Sequence, residues 1–170
     1  MGEITLRRAG ERDLPTCMEM FGELNRLQAS WRVFPTRSTL PSEMERHYRA
    51  ALEDPDALLL VAEDDGRVIG MAVGHVHRPS SFSQDLAVEL SSVFVHRAHR
   101  HRGAARALTE EVARFARDRG VERVTLKTFS QNQEAIEAYR RMGFEPRTLQ
   151  MTAPVERLAP LEREQTGSSG

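Results

Sequence analysis

Residues 91–108 read SSVFVHRAHRHRGAARAL and join two different structural patterns. The first five residues carry valine and phenylalanine at strand spacing, whereas the residues from Gly103 onward are rich in alanine, which favours a helix. Basic and imidazole side chains fill the segment between them. The stretch therefore predicts a strand, a basic turn and a helix. The apolar face of that helix is continued by Ala105, Leu108, Val112 and Phe115.

The predicted turn has the features of an anion-binding site. The first N–H groups of a helix have no internal partner, and the aligned peptide dipoles place partial positive charge there. Gly103 and Ala105 carry little or no side chain, so a phosphate could approach the main chain closely. Arg100, Arg102 and Arg106 would add positive charge around it. A short motif of this kind also occurs as a solvated basic turn, so its interpretation depends on the rest of the chain.

The rest of the chain alternates between strand and helix patterns. Alternating apolar residues predict strands, and apolar residues at intervals of three and four predict helices. Strands are predicted over residues 4–9, 86–95 and 121–129, a hairpin over 57–76, helices over 10–28, 42–54, 103–120 and 132–143, and a last strand over 148–155. Asp65 and Gly66 supply the tight turn of the hairpin. This order predicts an α/β fold with a mixed sheet.

Capping residues predict where the first two helices begin. Asp13 precedes the first helical pattern and is a candidate N-cap. Ser42 and Glu45, three residues apart, match a capping box at the start of the second helix. Residues 30–42 contain two prolines and are predicted to form a loop, or alternatively a short irregular helix.

Length and composition indicate one domain with an ordinary core. A chain of 170 residues can bury most of its apolar surface without crosslinks. We expect a single domain over residues 1–158 and a disordered tail over residues 159–170. The formal charge of -1 does not favour nucleic acid as a partner, and no run is long enough to predict a membrane span. Cys17 is the only cysteine and the amino terminus has no signal-peptide pattern, so a cytoplasmic location is expected.

Two ordered blocks resemble a known family. Residues 88–120 resemble the acetyl-coenzyme A (acetyl-CoA) binding motif of the GNAT superfamily of N-acetyltransferases, whose turn has the form Gln/Arg-x-x-Gly-x-Gly/Ala. Residues 124–146 resemble the second family block. The first block is matched by Arg100, Gly103 and Ala105, and the second by Asn132, Ala135, Tyr139, Gly143 and Phe144. The chain departs from the commonest pattern at Ala105 and at His101, where the family often has glycine.

The resemblance implies the GNAT (acyl-CoA N-acyltransferase) fold, a mixed central sheet flanked by helices on both faces. It also implies acetyl-CoA as cosubstrate and no metal. The pyrophosphate would lie on the amides of the turn, and the pantetheine arm would pair with the strand before it. The implied binding residues are Val93, Phe94, Val95, Arg100, His101, Arg102, Gly103, Ala104, Ala105, Arg106, Asn132, Ala135 and Tyr139.

Two of the residues are candidates for the chemistry. An alkylammonium must lose a proton before it can attack a thioester, so a base is needed. Glu89, eleven residues before Arg100, stands where family members that use a glutamate base on this strand carry it. Alternation predicts that Glu89 shares a sheet face with Ser91, Val93 and Val95. Tyr139 stands at the position of the family's general acid. The alternatives are a surface glutamate and a tyrosine that only packs.

The resulting hypothesis is an N-acetyltransferase that moves an acetyl group to a primary amine of a small molecule or peptide by direct attack in a ternary complex. The alternative is a noncatalytic acetyl-CoA-binding sensor or interaction module. A dinucleotide-binding domain is disfavoured because only one of its three glycines is present and the turn follows a late strand. Many family members form dimers through their terminal strands, which makes a homodimer plausible.

The acceptor is left open by the sequence. In the family, the first helices and the loop between them form one wall of the acceptor site, and this region holds Trp31, Phe34, His47 and Tyr48. Its carboxylates Glu23, Glu43 and Glu45 would suit a cationic amine, whereas Arg26, Arg32 and Arg37 would suit a carboxylate. His75 and His77 face one way on a strand but lack a further ligand, so a structural or acceptor-side role is favoured over a metal site.

Overall fold

The computed structural model describes residues 2–31, 38–79 and 86–158. Its strands are β1 Thr5–Arg8, β2 Ala57–Asp64, β3 Arg67–His77, β4 Ala87–Val95 and β5 Val124–Leu126. Its α-helices are α1 Leu14–Ser30, α2 Leu40–Glu53, α3 Ala104–Arg117 and α4 Gln133–Arg141. Short 3-10 turns lie at Glu11–Asp13, Arg97–His99 and Val155–Arg157. The α/β fold predicted from the sequence is confirmed.

The five strands form one mixed sheet in the order β1-β2-β3-β4-β5. The first three pairings are antiparallel, and β4 pairs with β5 in parallel. Asp65 and Gly66 connect β2 to β3 with φ angles of 50° and 74°, the left-handed conformation that a two-residue hairpin turn requires at both positions. The predicted hairpin is therefore confirmed.

Helices cover both faces of the sheet, and each face has its own apolar cluster. The helices α1 and α2 pack on one face, where the cluster includes Cys17, Met20, Tyr48, Met71, Val73 and Phe94. The helix α3 packs on the other face, where the cluster includes Ala72, Val88, Leu90, Leu108, Val112 and Phe115. The strands β2, β3 and β4 are buried on both faces because they lie between these two layers.

A β-bulge at Ser91 interrupts the pairing of β4 with β3. Leu90 pairs with Gly74 and Ser92 pairs with Val73, so Ser91 has no opposite residue. An extra residue of this kind reverses the alternation of side chains beyond it. The part of β4 before the bulge and the part after it therefore follow different alternation phases.

The bulge overturns the predicted common face of β4. Glu89 lies on the face covered by α1 and α2, where it contacts His75. Val93 and Val95 lie on the opposite face, in the cluster around α3. The prediction that Glu89 shares a face with both valines is wrong because the inserted Ser91 shifts the two-residue period by one.

The strand β5 is much shorter than the nine residues predicted for it. It pairs with β4 only over Val124–Leu126, opposite Val88–Leu90. Beyond the bulge, residues 91–95 of β4 pair with β3, while no strand pairs with their other edge among the described residues. The sheet is therefore split between β4 and β5, with the vertex of the split at the bulge.

The structure contradicts the capping prediction for α2 and confirms only the position of Asp13 for α1. The helix α2 begins at Leu40, with Thr39 at the N-cap position, so the predicted capping box at Ser42 is wrong. The Ser42 hydroxyl instead donates to the Thr39 carbonyl oxygen at 2.9 Å. Asp13 does occupy the N-cap position of α1, but its carboxylate accepts hydrogen bonds from Arg7 and from the Gly10 N–H rather than from the helix.

The predicted last strand is not formed. Residues 148–154 belong to no helix or strand, Val155 begins a 3-10 turn, and Leu149, Met151 and Val155 expose their side chains. Alternating apolar residues predicted a strand there, but such a pattern needs a neighbouring strand to pair with. The predicted tail, residues 159–170, and most of the predicted loop over residues 30–42 lie outside the described residues. No helix in the described part of the chain has the length and apolar character to cross a bilayer.

Candidate active site at the split in the sheet

The turn between β4 and α3 contains two residues in the left-handed conformation. His101 has φ 59° and Gly103 has φ 87°. A left-handed backbone favours glycine, which explains why glycine is frequent at both positions of the resembling family motif. A side chain added at Gly103 would meet no atom within 4 Å, so the space beside this residue is open.

The main chain of this turn presents free hydrogen-bond donors. Within the described residues, none of the amide N–H groups of residues 101–106 has a main-chain acceptor, and the first such bond runs from the Ala107 N–H to the Gly103 carbonyl oxygen at 2.9 Å. Left-handed Gly103 followed by helical Ala104 directs successive N–H groups to the same side, which forms an anion-binding concavity. This arrangement fits a diphosphate.

The arginine side chains at the turn have different partners. Arg100 donates from Nε to the Val95 carbonyl oxygen at 3.1 Å, and Arg106 pairs with Glu110 at 2.8 Å on the exposed face of α3. Arg102 instead forms an ion pair with Asp64 at 2.5 Å, at the end of β2. The Arg102 guanidinium is therefore held by Asp64, and its contribution of positive charge to the anion site stays a prediction.

The ion pair between Arg102 and Asp64 fixes the turn to the tip of the hairpin. Asp64 is buried, and the hydrogen bond from Arg102 holds the pKa of its carboxyl below the usual value. His99 Nδ1 lies 3.3 Å from Asp64 and 3.1 Å from Arg102, and Arg102 also donates to the Gly2 carbonyl oxygen. Arg102 thus positions the turn, and its own amide N–H stays available there.

The second sequence block lies beside the turn. Asn132 caps α4, because its Oδ1 accepts a hydrogen bond from the Ala135 N–H at 3.3 Å. Glu134, in the first turn of α4, lies 3.8 Å from Arg100 and 3.9 Å from His101. The beginning of α4 is therefore next to the beginning of α3, as the resemblance implies, although a direct role for Asn132 in binding remains a prediction.

Tyr139 is partly buried on α4. Its ring packs edge-on against Phe144, with 5.6 Å between the ring centroids. Burial raises the pKa of the Tyr139 hydroxyl above its usual value. A tyrosine hydroxyl is protonated at neutral pH even at its ordinary pKa, so Tyr139 is in the state that a general acid needs. Its assignment as the acid remains a prediction.

Glu89 lies at the vertex of the split with polar neighbours on two sides. Its side chain is 22% exposed, which is neither a core position nor an open surface. One carboxylate oxygen is 4.0 Å from His75 Nε2 and the other is 3.3 Å from Lys127 Nζ. His75 stands directly opposite on β3, and Thr125 stands opposite on β5. The Glu89 carboxylate thus contacts one basic group from β3 and one from the end of β5.

One neighbour of Glu89, Lys127, was missed by the sequence reasoning. Lys127 follows β5. It is the only lysine in the chain, and this fact could have drawn attention to it from the sequence. His47 reaches the group from α2, with its ring 5.8 Å from the His75 ring, and its pKa is lowered by burial and by His75. No local pattern could have found the pairing of His47 with His75.

The structure describes only part of the region predicted to form a wall of the acceptor site. Trp31 packs on Phe129 with 5.7 Å between ring centroids, which connects the end of α1 to the segment after β5. Glu23 lies 3.7 Å from His96 Nδ1. Tyr48 is fully buried, and burial raises its pKa to about 12, so it belongs to the core rather than to an open wall. Arg32, Phe34 and Arg37 lie outside the described residues.

Comparison with known proteins gives one family match and several relatives. A model described as the acetyltransferase (GNAT) family matches residues 24–144. N-acetyltransferase 8 from Homo sapiens is 33% identical over 106 residues, which are 62% of this chain and 46% of that protein. Streptothricin acetyltransferase from Streptomyces lavendulae is 39% identical over 93 residues, 54% of this chain and 47% of that protein. The chain thus spans about half the length of the curated relatives that it matches.

Solved structures share the fold at lower identity. An aminoglycoside N-acetyltransferase in complex with CoA aligns with a TM-score of 0.72 and 19% identity, covering 91% of this chain and 95% of that one. A transcriptional regulator from Bacillus halodurans aligns with a TM-score of 0.70 and 23% identity, covering 89% of this chain and 100% of that one. These structures support the arrangement of strands and helices described above.

Proposed function

The chain belongs to the GNAT acetyltransferase family, and from that premise we propose that it moves an acetyl group from acetyl-CoA to a primary amine of a small molecule or peptide. The transfer occurs by direct attack of the amine in a ternary complex. The observation that carries this proposal is the split in the sheet, which has free turn amides at one end and the Glu89 carboxylate at its vertex. A donor and an acceptor could therefore meet there from opposite faces.

The residues present fit acetyl-CoA as the acyl donor. The free N–H groups of residues 102–106 would hold the diphosphate, and the main chain of Val93, Phe94 and Val95 would hold the pantetheine arm along the unpaired edge of β4. Bound acetyl-CoA supplies the thioester that is broken. Because the edge of β4 is open only beyond Ser91, the bulge sets where the arm can end.

Glu89 acts as the general base and Tyr139 as the general acid. The Glu89 carboxylate accepts a proton from the incoming ammonium group, which frees the nitrogen lone pair for attack. The Tyr139 hydroxyl, which is protonated at neutral pH like any tyrosine hydroxyl, donates a proton to the departing thiolate. The direct ternary-complex route needs no nucleophile from the chain itself, and Cys17 is buried in the core.

The proposed acceptor class rests on the relatives and on the site. Streptothricin acetyltransferase and an aminoglycoside N-acetyltransferase are named for small-molecule acceptors. In this chain Glu89 already accommodates one alkylammonium group, that of Lys127, at 3.3 Å. A carboxylate that faces an ammonium group in this way suits a cationic amine as acceptor.

A noncatalytic acetyl-CoA sensor is the second candidate. That function would be favoured if Glu89 and Tyr139 both pointed into the packed core rather than toward the thioester. Glu89 instead keeps 22% of its side chain exposed and contacts two basic groups, which favours catalysis. A sensor would bind CoA and release no thiol in the presence of amines.

The proposal includes a cytoplasmic location and a homodimer, both expected from the sequence. The single free cysteine, Cys17, is compatible with a reducing compartment. The homodimer is tested by size-exclusion chromatography with light scattering, in which a mass of one chain would contradict it.

The central experiment is a thiol-release assay with acetyl-CoA and a panel of amines that includes polyamines, aminoglycosides, amino acids and peptides. We expect release to depend on at least one amine. A parallel melting experiment should show that CoA raises the Tm, as a ligand of the folded state must. Stabilisation without release with any amine would favour the sensor, and neither effect would contradict both candidates.

A further inference from the structure

Lys127 is unusual in this chain because of its residue type. Of the 24 lysine and arginine residues, only this one is lysine. Lysine and arginine differ chemically, because a lysine amine can lose its proton and act as a nucleophile whereas a guanidinium stays charged. The chain therefore carries a single side-chain primary amine.

This amine lies at the vertex of the split. Lys127 directly follows Leu126, the last residue of β5 that pairs with β4. Its Nζ is 3.3 Å from Glu89 Oε1, and 88% of its side chain is exposed, so the amine is held by Glu89 rather than by surrounding packing. The Lys127 amine thus occupies the position that the proposed function gives to the acceptor amine.

The groups around Glu89 support transfer to this position. His75 lies 4.0 Å from the other oxygen of Glu89, so the carboxylate is positioned between an imidazole and an amine. His75 Nδ1 is buried without a hydrogen-bond partner among the described residues. The other ring nitrogen, Nε2, faces Glu89 and is the one available for hydrogen bonding. The carboxylate is therefore positioned with one oxygen directed at Lys127.

We propose that Lys127 is a self-acetylation site, at which the chain transfers the acetyl group of bound acetyl-CoA to its own Nζ when no external amine occupies the split. This inference rests on the proposed function, since it uses the same donor and the same base. The observation that carries it is the contact of the only lysine with Glu89 at the end of the β4–β5 pairing.

The step balances in atoms and electrons. Glu89 takes one proton from the ammonium, and the nitrogen lone pair attacks the thioester carbonyl carbon. A carbon–nitrogen amide bond forms, and the carbon–sulfur bond breaks with its electron pair leaving on sulfur. Tyr139 donates a proton to the thiolate and is reprotonated by the second amine proton, and the proton on Glu89 passes to solvent. The products are acetyl-Lys127 and CoA, and nothing is oxidised or reduced.

The test uses the full chain, incubated with acetyl-CoA and no other amine. Intact mass spectrometry should show the gain of one acetyl group, and peptide mapping should place it on Lys127. The first-order rate constant should not change with protein concentration, because the transfer is intramolecular. Glu89→Gln should slow the reaction at least about tenfold, since it removes the base but keeps the shape of the side chain.

A matched pair of variants controls for simple chemical acetylation. Lys127→Arg keeps a cation beside Glu89 and should gain no acetyl group. Lys127→Arg combined with Arg117→Lys moves the only lysine to an exposed site on α3, and it should stay unmodified over the same period. Acetylation of that second lysine at the wild-type rate would overturn the proposal.

The failure of this inference can be told apart from the failure of the proposed function. A protein that acetylates external amines but leaves Lys127 unmodified would refute self-acetylation alone. A rate that rises with protein concentration would also refute it, because one copy would then be modifying another. The absence of both CoA stabilisation and thiol release would refute the acetyltransferase function itself.

Discussion

The two halves of β4 are built differently, although they belong to one strand. Residues 87–90 lie on the side of the bulge where β4 has a strand at each edge, and residues 88–90 pair with both β3 and β5. Residues 91–95 have only β3 beside them within the described part of the chain. The bulge at Ser91 separates the halves. The closed half carries Glu89, and the open half leads into the turn with free amides. In the proposed function, one half of this strand carries the base and the other half binds the acyl donor.

This comparison predicts separable effects of mutation. Changes in the closed half should lower kcat and leave the affinity for CoA intact, because the proposed base Glu89 lies there and the turn amides do not. Changes at the turn should lower the affinity for CoA and leave kcat at saturation nearly intact. A variant that altered both parameters together would break the distinction.

The largest effect is expected for Glu89→Gln. Without the carboxylate the amine keeps its proton, so kcat should fall at least about 100-fold at neutral pH, with an unchanged KM for acetyl-CoA. Steady-state kinetics with the best amine of the panel measure both parameters. Glu122→Gln, which neutralises an exposed glutamate just before β5, is the control and should be nearly wild-type. Full activity of Glu89→Gln would remove Glu89 from the mechanism.

Tyr139→Phe should have the next largest effect. The variant loses the hydroxyl and keeps the ring contact with Phe144, so kcat should fall at least about tenfold while CoA binds as before. The only other tyrosine provides the control, because Tyr48→Phe removes a buried hydroxyl from the core. That variant should alter the Tm and not kcat. Equal rates for Tyr139→Phe and wild type would limit Tyr139 to packing.

Gly103→Val should weaken CoA binding roughly tenfold by calorimetry. A branched residue is strained in the left-handed conformation by about 1–2 kcal/mol, and the turn must keep that conformation to direct its amides. Gly120→Val is a matched control, because Gly120 also has positive φ, at 68°, and open space beside it. Both variants should lose stability, and only Gly103→Val should lose affinity. Equal losses of affinity would indicate a general effect of unfolding.

The smallest effect is expected for His101→Gly. Relief of the left-handed strain should stabilise the fold by up to about 1 kcal/mol, seen as a modest rise in Tm. Asp65→Gly, at the other non-glycine position with positive φ, should give a similar gain. His101→Gly should leave the affinity for CoA unchanged, because it keeps the left-handed backbone and the amide N–H of the turn. A loss of affinity in His101→Gly alone would show that the imidazole side chain takes part in binding.

Local chemistry made much of the fold predictable. Asp65 and Gly66 identified the hairpin because few residue pairs adopt two consecutive left-handed conformations. The strand, turn and helix around Gly103 were predictable because the change in apolar period lies within a few residues. The approach of α4 to the turn followed from the two-block resemblance rather than from any periodicity.

The features that the sequence did not reveal depend on distant residues. Nothing in the two serines at 91 and 92 indicates which of them leaves the ladder, so the face of Glu89 was mispredicted. The contacts of Glu89 with His75 and Lys127 and of Arg102 with Asp64 join segments far apart in the chain. The apolar alternation of residues 148–155 predicted a strand, but pairing needs a partner strand that a local pattern does not supply.

The ion pair of Asp64 with Arg102 gives the hairpin tip an influence beyond its own neighbourhood. Since the tip of the first hairpin and the loop that receives the diphosphate are tethered, they are expected to fluctuate as one unit. Substitutions near Asp65, at positions that do not contact CoA, are therefore expected to change the lifetime of bound CoA.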